Sequence, residues 1–284
     1  MTNSTNPTAV DISAQRTRAA AFRDLHQQGV LVLANAWDAA SACIAVHAGA
    51  AAVATTSAGV AWSLGFPDGD VMPRDVAVSA IARIAAAIDI PLTADIEAGY
   101  GATLDELATT IHAVIAAGAV GINIEDAGGA GLREVPEQVA RISTVRATAE
   151  AAGVELFINA RTDTYLRGIG EAAGRLGATV ERARAYVDAG ADGIFVPGAS
   201  DADVIRQLAA EISKPLNVMA GPGSLSVAEL ADLGVRRVSV GSATAQAAYD
   251  VARRAASELI TLGSYGPLAD GMDYGELNGL FARR

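Results

Sequence analysis

A (β/α)8 barrel with additional C-terminal helices is the fold class this sequence predicts, and three observations predict it. A short motif, Ala or Leu followed by Gly and then an apolar run, recurs at Ala48-Gly49, Ala117-Gly118, Ala189-Gly190 and Leu233-Gly234. Each places a helix-capping glycine directly before a buried parallel strand. Four further apolar runs, 30–34, 91–95, 155–160 and 215–219, lie between them, so eight strand candidates alternate with helix-length segments. No Gly-x-Gly-x-x-Gly fingerprint opens the first unit, which counts against an open dinucleotide-binding sheet.

The elements follow in order. Residues 1–15 are polar, without a basic region leading into an apolar run, and read as a flexible tail with no secretory signal. The apolar stretch 29–56 is broken by Asn35, Asp38 and His47 before it reaches a membrane-spanning length, so it supplies strands one and two and the helix between them. A helix over 75–88 leads to strand three at 91–95. Thr103-Leu-Asp-Glu106 is a capping signal for the next helix, whose buried stripe is Leu107, Ile111 and Val114. Strand four is 120–126. Helices over 136–152, 174–189, 202–212 and 226–233 each stop before a Gly, a Pro or a strand. No linker divides the chain, so 1–284 reads as one barrel domain. The segment 249–284, with a helix over 251–262, is an extension that a barrel does not need and that suits an interface.

Half of the residues are hydrophobic and 19% are charged, enough for a packed core. A net charge of -11 argues against nucleic acid or an anionic membrane as partner. A single cysteine, Cys43, cannot form an internal disulfide and fits a reducing, cytoplasmic setting; its helical apolar surroundings mark it as structural. His26, His47 and His112 fall in helical segments without ligand spacing, so zinc is disfavoured.

In such a barrel the chemistry sits where the strands end. Strand two ends at Thr55-Thr56-Ser57-Ala58-Gly59, strand three at Asp95 and Glu97, strand four at Glu125 and Asp126, and strand five at Asn159, Arg161 and Asp163. Strand alternation puts Asp95 and Glu97 on one face, and Glu125 on the neighbouring strand completes a three-carboxylate set. Oxygen ligands of this kind suit magnesium, with manganese as the alternative. Arg161 offers a planar fork for a carboxylate or phosphonate.

These residues resemble the isocitrate lyase and phosphoenolpyruvate mutase superfamily. The likeness runs from about residue 20 to 245 through Thr56-Ser-Ala-Gly59, Ser63-Leu-Gly-Phe-Pro-Asp68, Asp95-Ile-Glu-Ala-Gly-Tyr-Gly101, Ile124-Glu-Asp126 and Asn159-Ala-Arg-Thr-Asp163. The resemblance implies a magnesium barrel acting on small anionic 2-oxo or 2-hydroxy acids or phosphonates through an enolate. It assigns Ser57, Ala58 and Gly59 to the substrate's carboxylate or oxo end, and Asp68 to metal waters or substrate. Asp95 becomes the direct metal ligand, Glu97 and Glu125 its shell largely through water, and Arg161 the clamp on an anionic group. It also implies a homo-oligomer, a dimer or tetramer with exchanged C-terminal helices.

The chain departs from that pattern at two places. Where family lyases carry a Lys-Lys/Arg-Cys-Gly-His lid, this chain reads Ala127-Gly-Gly-Ala-Gly-Leu-Arg-Glu-Val-Pro136, a glycine-rich lid from which Arg133 or Glu134 could reach the site. Where several lyases carry an acid after strand six, it reads Val196-Pro197-Gly198. The leading expectation is a magnesium-dependent carbon-carbon bond lyase, with Asp68, Glu125 and Arg161 as catalytic residues. Phosphonopyruvate mutase or hydrolase chemistry is the first alternative, and a metabolite-binding barrel without turnover the second.

Overall fold

The computed structural model describes residues 12–129 and 131–282. In chain order the strands are β1 (Leu31–Ala36), β2 (Val53–Thr55), β3 (Leu92–Asp95), β4 (Gly121–Glu125), the short pair β5 (Ala127–Gly128) and β6 (Gly131–Leu132), then β7 (Phe157–Arg161), β8 (Gly193–Phe195), β9 (Leu216–Met219) and β10 (Arg237–Ser239). All except β5 and β6 run parallel and close a barrel in the order β1-β2-β3-β4-β7-β8-β9-β10, with β10 back on β1. The expected (β/α)8 architecture is therefore present. The helices are α1 (Ile12–Leu25), α2 (Ala39–His47), α3 (Ser57–Ser63), α4 (Arg74–Ala85), α5 (Leu104–Ala116), α6 (Val135–Ala151), α7 (Ala172–Asp188), α8 (Ala202–Glu211), α9 (Val227–Asp232), α10 (Ala243–Leu262) and α11 (Tyr274–Gly279).

The repeated glycine motif works as its chemistry requires. Gly49, Gly118, Gly190 and Gly234 all take positive φ, between 91° and 107°, immediately after α2, α5, α7 and α9. A side chain would be strained there, so glycine turns each helix into the next strand. Thr103 and Glu106 form the expected capping box on α5, with Thr103 Oγ1 accepting from the Glu106 amide at 3.2 Å.

Two expectations are corrected and one unforeseen helix is added. Residues 12–15 belong to α1 and not to a loose tail, because the buried Gln15 amide donates to the carbonyls of Ile115 and Ala119; residues 1–11 lie outside the described residues. Residues 57–63 form a helix, α3, which the apolar pattern hides in a seven-residue segment. The C-terminal extension starts at Ala243 and not at 249, since Ala245 is buried and Tyr249 packs near Trp37 and Trp62.

Phe22 and His26 meet Phe157 of β7, with Phe22 edge-on to both rings and His26 stacked on Phe157 at 4.0 Å. The Arg237 guanidinium lies 5.9 Å over the Phe22 ring. Within the barrel a polar layer replaces the usual aliphatic one. Asn159 donates to Asn123 Oδ1 at 2.9 Å and to Asn217 Oδ1 at 3.0 Å, and Arg237 donates to Asn123 Oδ1 at 3.1 Å. Burial lowers the Arg237 guanidinium to about 9.

His26 carries a testable consequence. Its Nδ1 lies 2.8 Å from the Phe22 carbonyl, which fixes the proton on Nδ1 and leaves the buried Nε2 bare. Burial first, then Arg237, lowers its pKa from 6.5 to about 4. The unfolded chain therefore takes up a proton between about pH 6.5 and 4 that the folded chain refuses. Stability is full above that window and falls as pH drops through it, by up to about 3 kcal/mol. A His26→Phe variant is expected to lose this component, read as the difference in denaturant midpoint between pH 7 and 4.5.

Candidate active site

The carboxyl ends of β2, β3, β4 and β7 carry the predicted residues. Asp95 ends β3, and its backbone N–H donates to Thr55 Oγ1 at 2.8 Å, which fixes where the side chain starts. The Asp95 Oδ2 accepts from the Ser57 hydroxyl at 2.8 Å and more weakly from the Ser57 amide at 3.3 Å. The other oxygen, Oδ1, is buried and has no hydrogen-bond partner. A carboxylate oxygen withdrawn from solvent and left unpartnered is costly, and it is an oxygen donor of the kind a hard divalent cation accepts.

Glu97 reaches the same neighbourhood by a different route from the one strand alternation predicts. The strand stops at Asp95, and Glu97 takes a left-handed φ of 50°, followed by Gly99 at 102° and Tyr100 at 48°. Such a run in non-glycine residues persists only where neighbours hold it. The buried Arg141 does so, donating to the carbonyls of Ala98 and Gly101. The Glu97 carboxylate is occupied at both oxygens, by the Tyr100 hydroxyl at 3.2 Å and by the backbone N–H of Asp70. Asp70 is itself left-handed, at φ 63°. Burial and the nearby Asp95 raise the Glu97 carboxyl to about 7.

Glu125 ends β4 and pairs with Arg161 of β7 at 2.8 Å. Burial is the first cause, opposed by Arg161, that raises the Glu125 carboxyl to about 8. Arg161 is less free than a bare anion clamp. Its Nε and Nη2 donate to the two oxygens of buried Asp163 at 2.6 and 2.9 Å. Three of its five N–H donors are thus committed within the chain, and two remain for a ligand. Burial alone would lower its pKa; Glu125 and Asp163 outweigh burial and hold the charge in place. Asp68 sits on the exposed 64–71 loop, where desolvation and then Asp95 push its carboxyl above the ordinary range.

Asp95, Glu97, Glu125, Arg161 and Asp68 are thus brought within electrostatic reach of one another. Direct ligation of one ion by three carboxylates is not what the geometry offers: among the described residues no group of three or more His, Cys, Asp or Glu is spaced to hold a metal. Glu97 is turned to Tyr100 and Asp70, and Glu125 to Arg161, which leaves Asp95 as the carboxylate with an open oxygen.

Ser57, Ala58 and Gly59 form the first turn of α3. Gly59 has a packing reason of its own, since a Cβ there would meet Thr56, Trp37 and Ala245 at 2.8 to 3.2 Å. Asp126, which the sequence groups with Glu125, is a structural acid. It is fully buried and accepts from the Asp163 amide at 3.0 Å, the Tyr186 hydroxyl at 2.8 Å and Arg182 at 3.3 Å. Arg133 and Glu134 do not deliver an acid to the site. Arg133 is tied to Glu137 at 3.0 Å and to the Ala127 carbonyl, while Glu134 stands at the N-terminal boundary of α6 without a side-chain cap bond. The sequence reading missed Asp70 and Arg141. Asp70 acts through its backbone, which leaves no side-chain signature, and Arg141 lies mid-helix far along the chain.

The phosphoenolpyruvate phosphomutase family profile matches residues 22–260. The chain is 40% identical over 237 residues to the Mycobacterium tuberculosis H37Rv protein Rv1998c, covering 83% of this chain and 87% of that one. It is 33% identical over 205 residues to the 2-methylisocitrate lyase of Escherichia coli K12, covering 69% and 67%. A crystal structure of 2,3-dimethylmalate lyase, described as a PEP mutase/isocitrate lyase superfamily member, superposes with a TM-score of 0.82 at 26% identity, covering 94% of this chain and 95% of that one. With the barrel, the strand-end acids and this chain-wide likeness together, the protein belongs to the phosphoenolpyruvate phosphomutase family, within the PEP mutase/isocitrate lyase superfamily of enzymes.

Proposed function

We propose that the protein is a magnesium-dependent carbon-carbon bond lyase acting on a small 2-oxo or 2-hydroxy acid. The observation that carries this reading is the buried, unpartnered Asp95 Oδ1 beside the Ser57-held Oδ2. Magnesium, or manganese in its place, supplies when bound a positive charge opposite the oxygen on which negative charge develops. Asp95 would hold it directly, with Glu97, Glu125 and Asp68 reaching it through water. Ser57 orients Asp95, and the first turn of α3 with Ala58 and Gly59 presents backbone amides toward an anionic end. Arg161 holds the substrate's carboxylate through its two remaining N–H donors. Glu125, whose burial favours the neutral carboxyl, is the group that carries a proton in a site whose lid supplies none.

The test is a screen of 2-oxo acids, 2-hydroxy acids and phosphonopyruvate with and without magnesium, products read by mass. Release of a smaller 2-oxo acid only with magnesium is the expected result. Phosphoenolpyruvate or phosphate from phosphonopyruvate would replace the reaction assigned, and binding without turnover of any compound would replace the enzyme.

We further propose a homo-oligomer, a dimer or tetramer, built on the extension. Leu259, Ile260 and Leu262 of α10, Tyr265 of the segment that follows it and Tyr274 of α11 are all exposed, large apolar side chains of the kind that mark an interaction surface when they cluster. Light scattering is expected to give two or four subunits, and removal of residues 263–284 to shift the mass downward.

A further inference from the structure

The segments that leave the barrel strands carry basic residues on one side of the mouth only. The ends of β2, β3, β4 and β7 carry Ser57, Asp95, Glu97, Glu125, Arg161 and Asp163. The segments leaving β8, β9, β10 and β1, residues 195–200, 219–225, 239–244 and 36–40, contain no Lys, Arg or His. Strand register gives this side its lining. Arg161 pairs with Phe195, Phe195 with Asn217, and Asn217 with Arg237, so Phe195 shares the inward face with Arg161 and Met219 lies one step above Asn217. The Arg161 guanidinium lies 5.8 Å over the Phe195 ring. The Met219 sulfur occupies the space that a Cβ on Gly241 would need, at 2.7 Å.

Several polar groups on this side are already used, and the Arg237 guanidinium, two of whose nitrogens lack a partner, is buried inside the barrel against Asn123 and the Phe22 ring. Asn217 donates to Ser239 Oγ at 3.2 Å, Asn35 Oδ1 accepts from the Val240 amide at 2.9 Å, and the Gly221 amide closes its own turn on Ser224 at 2.9 Å. The cations on the charged side are matched as well. Arg161 serves Asp163 and Glu125, Arg133 serves Glu137, and Arg167 lies 3.4 Å from Asp163 and reaches the Gly129 and Gly131 carbonyls. One carboxylate can be met by Arg161, α3 and a cation on Asp95. A second one would be pressed against Phe195 and Met219 with no cation in the segments that leave those strands to meet it, which is strongly unfavourable.

We propose that the substrate is a 2-oxo or 2-hydroxy acid with a single carboxylate and an uncharged, apolar substituent lying against Phe195 and Met219. This rests on the proposed function of the same site and narrows it. The two lyases named above, for 2-methylisocitrate and 2,3-dimethylmalate, take their names from acids with more than one carboxylate, so the apolar half of the mouth is where this chain's specificity would part from theirs.

The test is binding to the full-length protein with magnesium, by calorimetry, of pyruvate, 2-oxopentanoate and 2-oxoglutarate, the last two matched in chain length. 2-Oxopentanoate is expected to bind tighter than pyruvate, and at least about tenfold tighter than 2-oxoglutarate, since an unpaired buried carboxylate forfeits that much or more. A Met219→Arg variant is expected to reverse the preference between the matched pair. Equal or tighter binding of 2-oxoglutarate by the unaltered protein overturns the inference while leaving the magnesium site standing. Failure of all three acids to bind in a magnesium-dependent way overturns the site reading, and this inference with it.

Discussion

Replacing Asp95 with alanine is expected to abolish magnesium-dependent ligand binding and to lower turnover by roughly a thousandfold or more, since metal-assisted charge stabilisation contributes several kcal/mol. The fold should survive. Asp95 is the carboxylate whose charge raises its neighbours, being the second cause of the shift at both Asp68 and Glu97. Removing it relieves repulsion, so the metal-free variant should melt at the same temperature as the unaltered protein or higher, as happens where function is kept at a cost in stability. The pH dependence gives an independent reading. Glu97 and Glu125 sit at about 7 and about 8 in the folded protein, above the ordinary value of 4.5. The folded state therefore holds protons that the unfolded state has released, and its stability falls as pH rises from about 4.5, levelling off above about 7 for Glu97 and about 8 for Glu125. In the Asp95→Ala protein that fall should be shallower at Glu97. Thermal melts between pH 6 and 8.5 without metal, alongside turnover with magnesium, check both parts. Unchanged turnover and unchanged magnesium binding would remove the site assignment altogether.

The same residues show how far the sequence could be read. The barrel was legible because each repeated unit needs a glycine in a left-handed cap, and Gly49, Gly118, Gly190 and Gly234 stand in the sequence as well as in the structure. Asp95 and Glu125 were legible for a similar reason: they end buried strands, where an acid has few bland explanations. Glu97 was placed in the right neighbourhood by an argument that does not hold, since alternation ends with the strand and a left-handed turn does the placing. That turn depends on Arg141, 44 residues away along the chain from Glu97, and on the backbone of Asp70. Contacts of this sort are fixed by tertiary packing and leave no local pattern. The short helix α3 was hidden because seven residues with Gly and two Ala carry no measurable periodicity. Asp126 and Glu125, adjacent in sequence, have opposite fates because successive strand-end residues face opposite sides. One meets Arg161 at the mouth, and the other is sealed against Tyr186 and Arg182.

Arg161 is where structure and function are most tightly joined, and its removal should be costly to both. An Arg161→Met protein leaves Asp163, 1% exposed, without either of its short contacts to the guanidinium and with only the longer one to Arg167 at 3.4 Å, and leaves Glu125 without its cation. Breaking a buried pair by deleting one partner typically costs roughly 3 to 5 kcal/mol, because the remaining charge stays buried. For a chain of this size that is a fall in melting temperature on the order of 10 °C. Lysine should not rescue it, since a single ammonium cannot meet both oxygens of Asp163 and reach Glu125 together. Adding Asp163→Asn to Arg161→Met should recover part of the lost stability by withdrawing the stranded charge, a coupling a double-mutant cycle measures directly. It should not recover activity. The two N–H donors left over on Arg161 are assigned to the substrate, so kcat/KM is expected to fall by roughly a hundredfold or more in the single and double variants alike. Recovery of both stability and kcat/KM in the double variant would mean that Arg161 only neutralises Asp163 and Glu125, and the anion clamp would then have to be sought in the first turn of α3.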